Sequence, residues 1–436
     1  MSRVARSDQA GPDPGPHEPG PREPGSHAPG RGSGLRRRAL LPALVTGTAV
    51  LAAALALGTA RFTDPRDTDV RASGEHPSGR ESAGAGGRWV ATWTAAPVRA
   101  APAGTYAPAG TTVRNTVHTS TGGYAARITL SNLFGTGALV VDRARVGSHA
   151  VTFDGASRVT VPAGGQVVSD SVRTRIAADS DLVVSFRTPV TGGHITQHPA
   201  SFQTSYLVDA RTTRPIDEWR YLTAVDVFST AASGTVVTFG DSLTAGSGST
   251  PDADRRWPDL LSDRLKGSWG VANEGISGNR LLSDGRGGIA GVTRFERDAL
   301  GVTGVRTVIV ALGINDAQTA AWHLDPQRVV DALRRLTDQA HARGLRVIGV
   351  TLTPFEGIAN FTPSREAIRQ EVNEQIRAGG VFDAYVDFDE VVRDPAAPRR
   401  IRADYDSGDH LHFNDRGYQA LADSIDPGLL SGGPKR

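Results

Sequence analysis

The fold of the second half of the chain is decided around the segment TVVTFGDSL, residues 235–243. Its first five residues form a short apolar run that predicts a buried β-strand, and Gly240 marks the point where this strand ends. The next long apolar run, residues 305–312, has the composition of a central parallel strand that is buried on both faces. Helical periodicity alternates with such strands up to the C-terminus, which predicts a doubly wound parallel α/β sheet.

The clearest helix of this half is predicted over residues 325–343. Asp325 can cap it, Pro326 occupies the first turn, and the apolar residues that follow share one face. The other predicted elements are strands at 270–272, 346–352 and 384–388, and helices at 254–266, 365–377 and 415–424. Because such sheets bind ligands at the carboxyl ends of their strands, functional residues are expected there.

Residues 89–231 have a different pattern, in which short alternating runs are separated by glycine-containing turns. No convincing helix interrupts them. The predicted strands include residues 127–130, 151–153, 158–161 and 182–186. The pattern predicts a β-rich accessory domain of the β-sandwich or jelly-roll kind.

The N-terminal region has the composition of an export address followed by a linker. Residues 1–38 form a disordered Pro/Gly/Arg-rich segment, and residues 39–60 are an uncharged apolar run after three arginines. This run is either a cleaved signal of the Sec or twin-arginine type or a membrane anchor, since about 20 apolar residues can span a bilayer. Residues 61–88 are a polar linker, and the catalytic domain is predicted at 232–430. Both interpretations place most of the chain outside the cytoplasm.

The composition excludes several classes of function. The 436 residues carry a net charge of +2 and no cysteine. A disulfide scaffold and thiolate metal or redox sites are therefore excluded. No clustered basic surface is evident, which argues against a nucleic-acid partner.

Ser242 is the first candidate catalytic residue, because it directly follows the strand that ends at Gly240. A strand that turns into a helix at this point presents the hydroxyl at the edge of the sheet. A serine hydroxyl is a weak nucleophile at its own pKa and needs an external base. The alternative is that Asp241 and Ser242 only cap the next helix.

Two further motifs, NEGISGN at residues 273–279 and GIND at residues 313–316, also follow predicted strands. The backbone N–H of Gly278 and the side-chain amide of Asn315 are candidate hydrogen-bond donors to an oxyanion. The alternatives are a glycine-rich turn in the first case and an amide that satisfies a loop in the second. The position of both motifs at the same sheet edge as Ser242 favours the oxyanion interpretation.

The fourth motif is DHLH, residues 409–412, which precedes the last predicted helix. Three residues of separation allow the Asp409 carboxylate to reach one nitrogen of His412, while the other nitrogen faces Ser242. Solvated loop residues are the alternative. A second alternative is a metal site that combines His410 and His412 with Asp409 or Asp241. Alternate residues of an extended loop point in opposite directions, which argues against this site.

The ordered set Ser242, Gly278, Asn315 and His412 resembles the SGNH (GDSL-type) hydrolase superfamily over roughly residues 234–430. No G-x-S-x-G motif of an α/β-hydrolase was found in this half. Segments of the first half, such as WVATW at 89–93 and DLVVS at 181–185, look like the β domain of an exported bacterial branch of that superfamily. The resemblance implies a flavodoxin-like three-layer α/β/α fold, no metal or organic cofactor, and hydrolysis of ester-linked acyl groups. Family substrates include lipids, acetylated sugars and aryl esters or thioesters.

The sequence thus predicts an exported serine ester hydrolase. Ser242 is the expected nucleophile, His412 the base and Asp409 its orienting acid, while Ser242, Gly278 and Asn315 supply the oxyanion donors. We expect a monomer that acts on a small or polymer-linked ester and associates with a membrane or cell surface if the apolar segment is retained. Two alternatives stay open, a glycan- or surface-binding protein with an idle hydrolase domain and a metal-dependent hydrolase.

Overall fold

A computed structural model describes residues 86–101, 109–190, 192–319 and 324–434. All of them fall within one compact unit, Arg80–Arg436. The predicted N-terminal segments 1–38 and 39–60 and most of the linker lie outside the described residues. Within the described ranges, no helix combines the length and the apolar composition needed to cross a membrane.

The first half consists of β-strands, as its alternating pattern predicts. The strands are β1 (Arg88–Thr94), β2 (Arg99–Ala100), β3 (Thr111–Thr119), β4 (Gly123–Ser131), β5 (Leu139–Val146), β6 (His149–Ala150), β7 (Arg158–Val161), β8 (Gln166–Val168), β9 (Val172–Ile176), β10 (Ser180–Thr188), β11 (Thr196–Pro199), β12 (Ser205–Val208), β13 (Thr213–Ile216), β14 (Glu218–Arg220) and β15 (Leu222–Ser229).

Two larger antiparallel sheets and one small sheet organise these strands. One sheet has the order β1-β15-β4-β8, with β9 also paired to β4, and the other has the order β13-β12-β3-β10-β5-β6, with β7 paired to β5. Strands β14, β11 and β2 form the small sheet. Side chains of both larger sheets, such as Ile128 and Phe186, belong to a single buried apolar cluster. The region is therefore β-rich with one core, whereas the finer sandwich or jelly-roll assignment and the domain boundaries stay predictions.

One predicted strand of this half is wrong. Residues 151–153 form no strand, and Phe153 instead makes an isolated bridge with Ala156 through backbone hydrogen bonds in both directions. The two residues between them, Asp154 and Gly155, have φ angles of 50° and 77°. An Asp-Gly pair at positive φ is the preferred centre of a two-residue hairpin turn, so the local turn chemistry overrides the alternation.

The second half alternates strands with helices. Its strands are β16 (Thr235–Gly240), β17 (Gly270–Gly275), β18 (Val305–Ala311), β19 (Arg346–Val350), β20 (Ala384–Val386), β21 (Arg393–Asp394) and β22 (Ala397–Ile401). Its helices are α1 (Ser242–Ala245), α2 (Trp257–Leu265), α3 (Gly291–Phe295), α4 (Ile314–Thr319), α5 (Pro326–His341), α6 (Pro363–Ala378), α7 (Phe388–Val392) and α8 (Asp415–Ser424), with a π-helical turn at Glu296–Leu300 and a 3₁₀ turn at Pro427–Leu430.

Five of these strands form one parallel sheet in the order β17-β16-β18-β19-β20. Numbered along this half alone, the order is 2-1-3-4-5, which is the flavodoxin-like doubly wound order. Helices α2 and α7 pack on α8. Helix α5 packs on α3 and α6, and α6 also packs on α4. The chain reverses its winding direction between β16 and β18, so the crevice that such sheets use for ligands opens beyond Gly240 and Ala311.

The ends of some elements differ from the predicted ones because of local capping. Helix α2 begins at Trp257 rather than at Asp254, whose positive φ of 51° is not helical. Strand β20 ends at Val386, because Asp387 caps the short helix α7, which was not predicted. Helix α5 agrees with the prediction, with Asp325 as cap and Pro326 in the first turn.

The β-rich half contacts the parallel sheet directly. Ala91 of β1 lies in the apolar core of the second half, and its N–H lies 3.1 Å both from the carbonyl oxygen of Thr303 and from Thr235 Oγ1. In the edge strand β17, the N–H of Val271 donates to the Ser120 hydroxyl at 2.8 Å. The turn between β3 and β4 thereby satisfies a polar group of an otherwise open sheet edge.

Candidate active site

Ser242 is the first residue of helix α1, immediately after the strand that ends at Gly240 and the capping residue Asp241. The turn is tight, since a Cβ atom placed on Gly240 would lie 2.1 Å from Thr244 Oγ1. The Asp241 side chain accepts from the Leu243 N–H at 3.1 Å and so starts the helix. Both the capping role and the edge position considered for this motif are therefore present together. Ser242 itself is 6% exposed.

His412 and Asp409 meet Ser242 at this edge, although the serine lies 170 residues away in sequence from the histidine. His412 Nε2 is 2.8 Å from Ser242 Oγ, and His412 Nδ1 is 2.6 Å from Asp409 Oδ2. The histidine ring thus lies between a hydroxyl and a carboxylate, each within hydrogen-bond distance. This geometry allows a proton to move from the hydroxyl to the ring.

The Asp409 carboxylate is held in its ionised form. Partial burial works to raise its pKa, but the hydrogen bonds from the backbone and ring of His412 and from the Leu411 N–H outweigh burial and lower the pKa to about 2. Asp409 Oδ1 accepts both backbone N–H groups, at 2.8 Å from His412 and 3.0 Å from Leu411. One oxygen therefore shapes the loop while the other faces the ring.

The cap of helix α8 and a tyrosine within this helix fix the loop that carries these groups. Asn414 caps the helix through its side-chain oxygen, and its amide donates to the carbonyl oxygens of Asp404 and Asp406. The hydroxyl of the buried Tyr418 donates to the Ser247 carbonyl oxygen at 2.7 Å. The histidine loop is thus tied to the segment that follows the serine helix.

The predicted oxyanion donors lie on the neighbouring turns. Gly278 has a φ of 76°, a left-handed conformation that favours glycine. Asn315 Nδ2 donates to the carbonyl oxygen of Asn279 at 3.0 Å, which brings the third motif against the second. Among the bonds of the described residues, the N–H groups of Ser242 and Gly278 have no acceptor. The turns at the carboxyl end of the sheet therefore carry two backbone donors without an acceptor among the described residues.

Two charged residues that brace these turns were missed from the sequence. Asp316 accepts from the N–H groups of Leu281 and Leu282 at 2.7 and 3.0 Å. The buried Arg294 donates to the Gly240 carbonyl oxygen at 2.8 Å and to Asn279 Oδ1 at 2.9 Å. Asp316 lies within a recognised motif and could have been considered, whereas nothing in the sequence around Arg294 indicates that it is buried.

The residues of the metal-site alternative do not converge. His410 Nδ1 lies 2.7 Å from Asp406 Oδ2, whereas His412 Nδ1 faces Asp409. Asp241 is buried at the N-terminus of the serine helix. In the part of the chain that is described, the ligand atoms of these residues form no common cluster. The arrangement of these side chains does not favour a metal here.

Asp241 is unusual because it is buried and forms no ion pair with any of the described residues, although Arg294 acts on it from a distance. Burial raises the pKa of the Asp241 carboxyl to about 7, and the nearby Asp316 acts in the same direction, while the bond from the Leu243 N–H opposes the shift. Asp241 Oδ2 has no hydrogen-bond partner among the described residues. The folded protein therefore holds this proton more tightly than the unfolded chain, whose aspartates titrate near pH 4.

The Asp241→Asn variant is expected to remove a pH dependence of stability. In the wild type, the contribution of protonated Asp241 is fully present below about pH 4 and is lost as the pH rises towards 7. Relative to the variant, the wild type should lose on the order of 1 kcal/mol of unfolding free energy per pH unit across this window. Urea unfolding at pH 4 to 8 measures the difference.

The matched control for this experiment is Asp338→Asn, which changes an exposed aspartate of helix α5. The difference in unfolding free energy between Asp338→Asn and the wild type should stay nearly constant with pH. If the difference in unfolding free energy between Asp241→Asn and the wild type were equally independent of pH, the Asp241 carboxyl would be ionised throughout the range from pH 4 to 8.

Fold and site together define a doubly wound α/β protein with a serine, a histidine and an aspartate in line at its ligand-binding edge. Residues 238–420 match the GDSL-like Lipase/Acylhydrolase family. This part of the chain belongs to the SGNH (GDSL-type) hydrolase superfamily, so the expected membership is confirmed. The family indicates a hydrolase that acts on esters.

Similar solved structures cover somewhat less than half of the chain. A carbohydrate acetylesterase family member from Sinorhizobium meliloti is 20% identical, with a TM-score of 0.37, over 45% of this chain and 99% of that chain. A GDSL-like lipase from Bacteroides thetaiotaomicron is 18% identical, with a TM-score of 0.36, over 45% of this chain and 87% of that chain. No curated protein is significantly similar in sequence.

Proposed function

We propose that this protein is an exported serine ester hydrolase that uses Ser242, His412 and Asp409 as a catalytic triad and forms an acyl-enzyme. The observation that carries the proposal is the continuous line of contacts from Ser242 Oγ through the His412 ring to Asp409, at 2.8 and 2.6 Å. It occurs within a family of ester-cleaving enzymes, at the edge where doubly wound sheets bind ligands.

In the first half-reaction, Ser242 Oγ attacks the ester carbonyl carbon while His412 Nε2 accepts the hydroxyl proton. Asp409 accepts the Nδ1–H bond and stabilises the resulting imidazolium. Collapse of the tetrahedral intermediate breaks the bond to the alkoxy oxygen, and the imidazolium protonates the leaving alcohol. Water then attacks the acyl-enzyme with the same proton transfers, which releases the acid and restores Ser242.

The oxyanion of each intermediate is stabilised by the backbone N–H groups of Ser242 and Gly278 and by the Asn315 side chain. In the free protein, Asn315 donates to the Asn279 carbonyl oxygen, so part of its amide is oriented before substrate arrives. Asp316 and Arg294 act as positioning residues, because they hold the backbone on both sides of these donors. Each oxyanion donor typically contributes about 10²–10³-fold to turnover.

The proposal includes export by way of the apolar segment 39–60 and an acylated sugar, lipid or aryl ester as substrate. The β-rich half, proposed to be of the sandwich kind, either shapes the rim of the active site or binds a polymer that carries the ester. No cofactor or metal takes part in the proposed chemistry.

A fluorophosphonate probe tests the proposal, since it phosphonylates only serines that a base activates. We expect one equivalent of label on Ser242, identified by peptide mapping, and no label after heat denaturation. If the domain were idle, as in the binding-protein alternative, Ser242 would stay unlabelled.

The chain supplies a matched control in Ser148, an exposed serine whose Oγ lies 3.4 Å from His149 Nδ1. No carboxylate contacts this histidine ring among its described hydrogen bonds and ion pairs. Labelling of Ser148 to the same extent as Ser242 would indicate general serine reactivity and would count against the proposed triad.

A further inference from the structure

A second cluster of titratable side chains joins the two halves of the protein, apart from the proposed triad. His118 belongs to β3, and Asp181 of β10 lies directly opposite to it in the antiparallel register. Asp254 comes from the second half, in the segment between α1 and α2. His118 Nδ1 lies 3.0 Å from Asp181 Oδ1 and 3.1 Å from Asp254 Oδ2.

The other ring nitrogen has a partner of its own, since His118 Nε2 lies 3.0 Å from Asp179 Oδ1. Because Nδ1 also lies at hydrogen-bond distance from two carboxylates, it carries a proton in the ion-free protein. An ion would bind by replacing this proton, while Nε2–H stays bonded to Asp179. This is the usual arrangement of metal-binding histidines, in which a carboxylate behind the ring fixes its tautomer and orientation. Asp179 would thus orient the ring without touching the ion.

The spacing of the three ligand atoms suits a cation. His118 Nδ1 and one oxygen each of Asp181 and Asp254 all lie within 4.8 Å of one another. A central ion bound at about 2.0–2.2 Å holds its ligand atoms at separations of roughly 3–4 Å. Small rotations of the exposed Asp181 carboxylate are enough to complete such a site.

The local charge also favours a divalent ion. Three carboxylates surround one imidazole, and even a protonated ring leaves an excess of two negative charges among these four groups. Two guanidinium groups, those of Arg255 and Arg256, act on Asp254, and that of Arg256 is already bound to Asp259 at 2.6 and 2.8 Å. A divalent cation on a neutral ring would reduce the excess to one.

A buried amide beside the cluster lacks a partner at one end. Gln203 is only 4% exposed, and its Nε2 donates to Asp181 Oδ1 at 3.2 Å. Its Oε1 is buried and has no hydrogen-bond partner among the described residues. Rotation of this amide would turn Oε1 towards the cluster and supply an additional oxygen ligand, as oxygen-binding divalent ions prefer.

We infer that His118, Asp181 and Asp254 bind a divalent transition-metal ion, of the Zn²⁺ or Mn²⁺ type, that links the β-rich half to the segment leading out of the serine helix. The same segment is anchored at its other end, where Thr250 donates to the Asp415 carboxylate through both its N–H and its hydroxyl. The ion is therefore structural. It stabilises the junction of the halves and takes no part in ester cleavage.

Titration of the chelator-treated full-length protein with ZnCl₂ and MnCl₂ tests this inference. We expect one site per chain by calorimetry and a rise in Tm of about 3–5 °C at a hundredfold excess over the Kd. Asp254→Asn and Asp181→Asn should each weaken binding by at least tenfold. Asp181→Asn should disturb the fold less than Asp254→Asn, because the Asp181 side chain is largely exposed.

The control is Asp406→Asn, which changes a carboxylate that also contacts a histidine Nδ1 atom, at 2.7 Å from His410. Its affinity for the ion should equal that of the wild type. Absence of saturable binding, or binding that Asp254→Asn and Asp181→Asn leave unchanged, would overturn the assignment. Co²⁺ spectra that lose a nitrogen ligand in His118→Gln would support it independently of stability.

Discussion

Replacement of Ser242 by alanine is expected to lower the turnover of p-nitrophenyl acetate by four to six orders of magnitude. The expectation follows from the 2.8 Å contact between Ser242 Oγ and His412 Nε2, because without the hydroxyl no acyl-enzyme can form. Removal of the nucleophile of a triad typically costs about 10⁶-fold in turnover. Steady-state kinetics with highly purified enzyme measure the loss.

The substitution should leave the fold intact, since it removes a single oxygen from a small side chain at the start of a short helix. Equal Tm values for variant and wild type would confirm this. Ser148→Ala should retain full turnover. If Ser242→Ala kept more than about a tenth of the wild-type turnover, another residue would be the nucleophile.

The Asp409→Asn variant is expected to lower turnover by about 10³–10⁴-fold. Asp409 Oδ1 accepts two backbone N–H groups, from Leu411 and His412, so the amide oxygen of asparagine would occupy that position. The amide NH₂ would then face His412 Nδ1 and require it to be an acceptor. The ring proton would move to Nε2, and the ring could no longer accept the Ser242 proton.

The Asp409→Asn substitution should lower kcat and change KM little, because Asp409 contacts the base and not the substrate. Ionisation of Asp409 itself should not limit activity above pH 4, since its pKa is held at about 2. Asp406→Asn is the matched control, because Asp406 contacts the neighbouring His410 ring and accepts the backbone N–H groups of Gly408 and His410. A comparable loss in both variants would indicate that loop integrity, and not the tautomer of His412, is what Asp409 supplies.

Much of the α/β half could be predicted from the sequence because its elements are long and strongly periodic. The strand at 235–239, the central strand from Val305 and helix α5 all occur within a few residues of their predicted bounds. Parallel strands share one carboxyl edge, so motifs that follow different strands could be placed together without coordinates. The common edge of Ser242, the 273–279 motif and Asn315 thus followed from the topology alone.

Other features depend on contacts that no local pattern carries. Arg294 looks like a surface arginine on a short helix, yet it is buried against the Phe239 ring, at 4.0 Å, and bonded to the Gly240 carbonyl oxygen. The cluster of His118 and Asp254 arises only where the two halves meet. The strand predicted at residues 151–153 is wrong for a local reason. A segment that leads into a two-residue turn has the same composition as the end of a strand.

The hydrogen bond of the β3–β4 turn to strand β17 has a consequence for any attempt to study the catalytic half alone. A fragment that begins at residue 232 would lose Ser120, the acceptor of the Val271 N–H, and Ala91, which fills part of its core. The bare strand and uncovered apolar flank would then be open to pairing with a second fragment. Such a truncated protein should self-associate or precipitate, so a low activity of the fragment would not by itself show that the missing half shapes the active site.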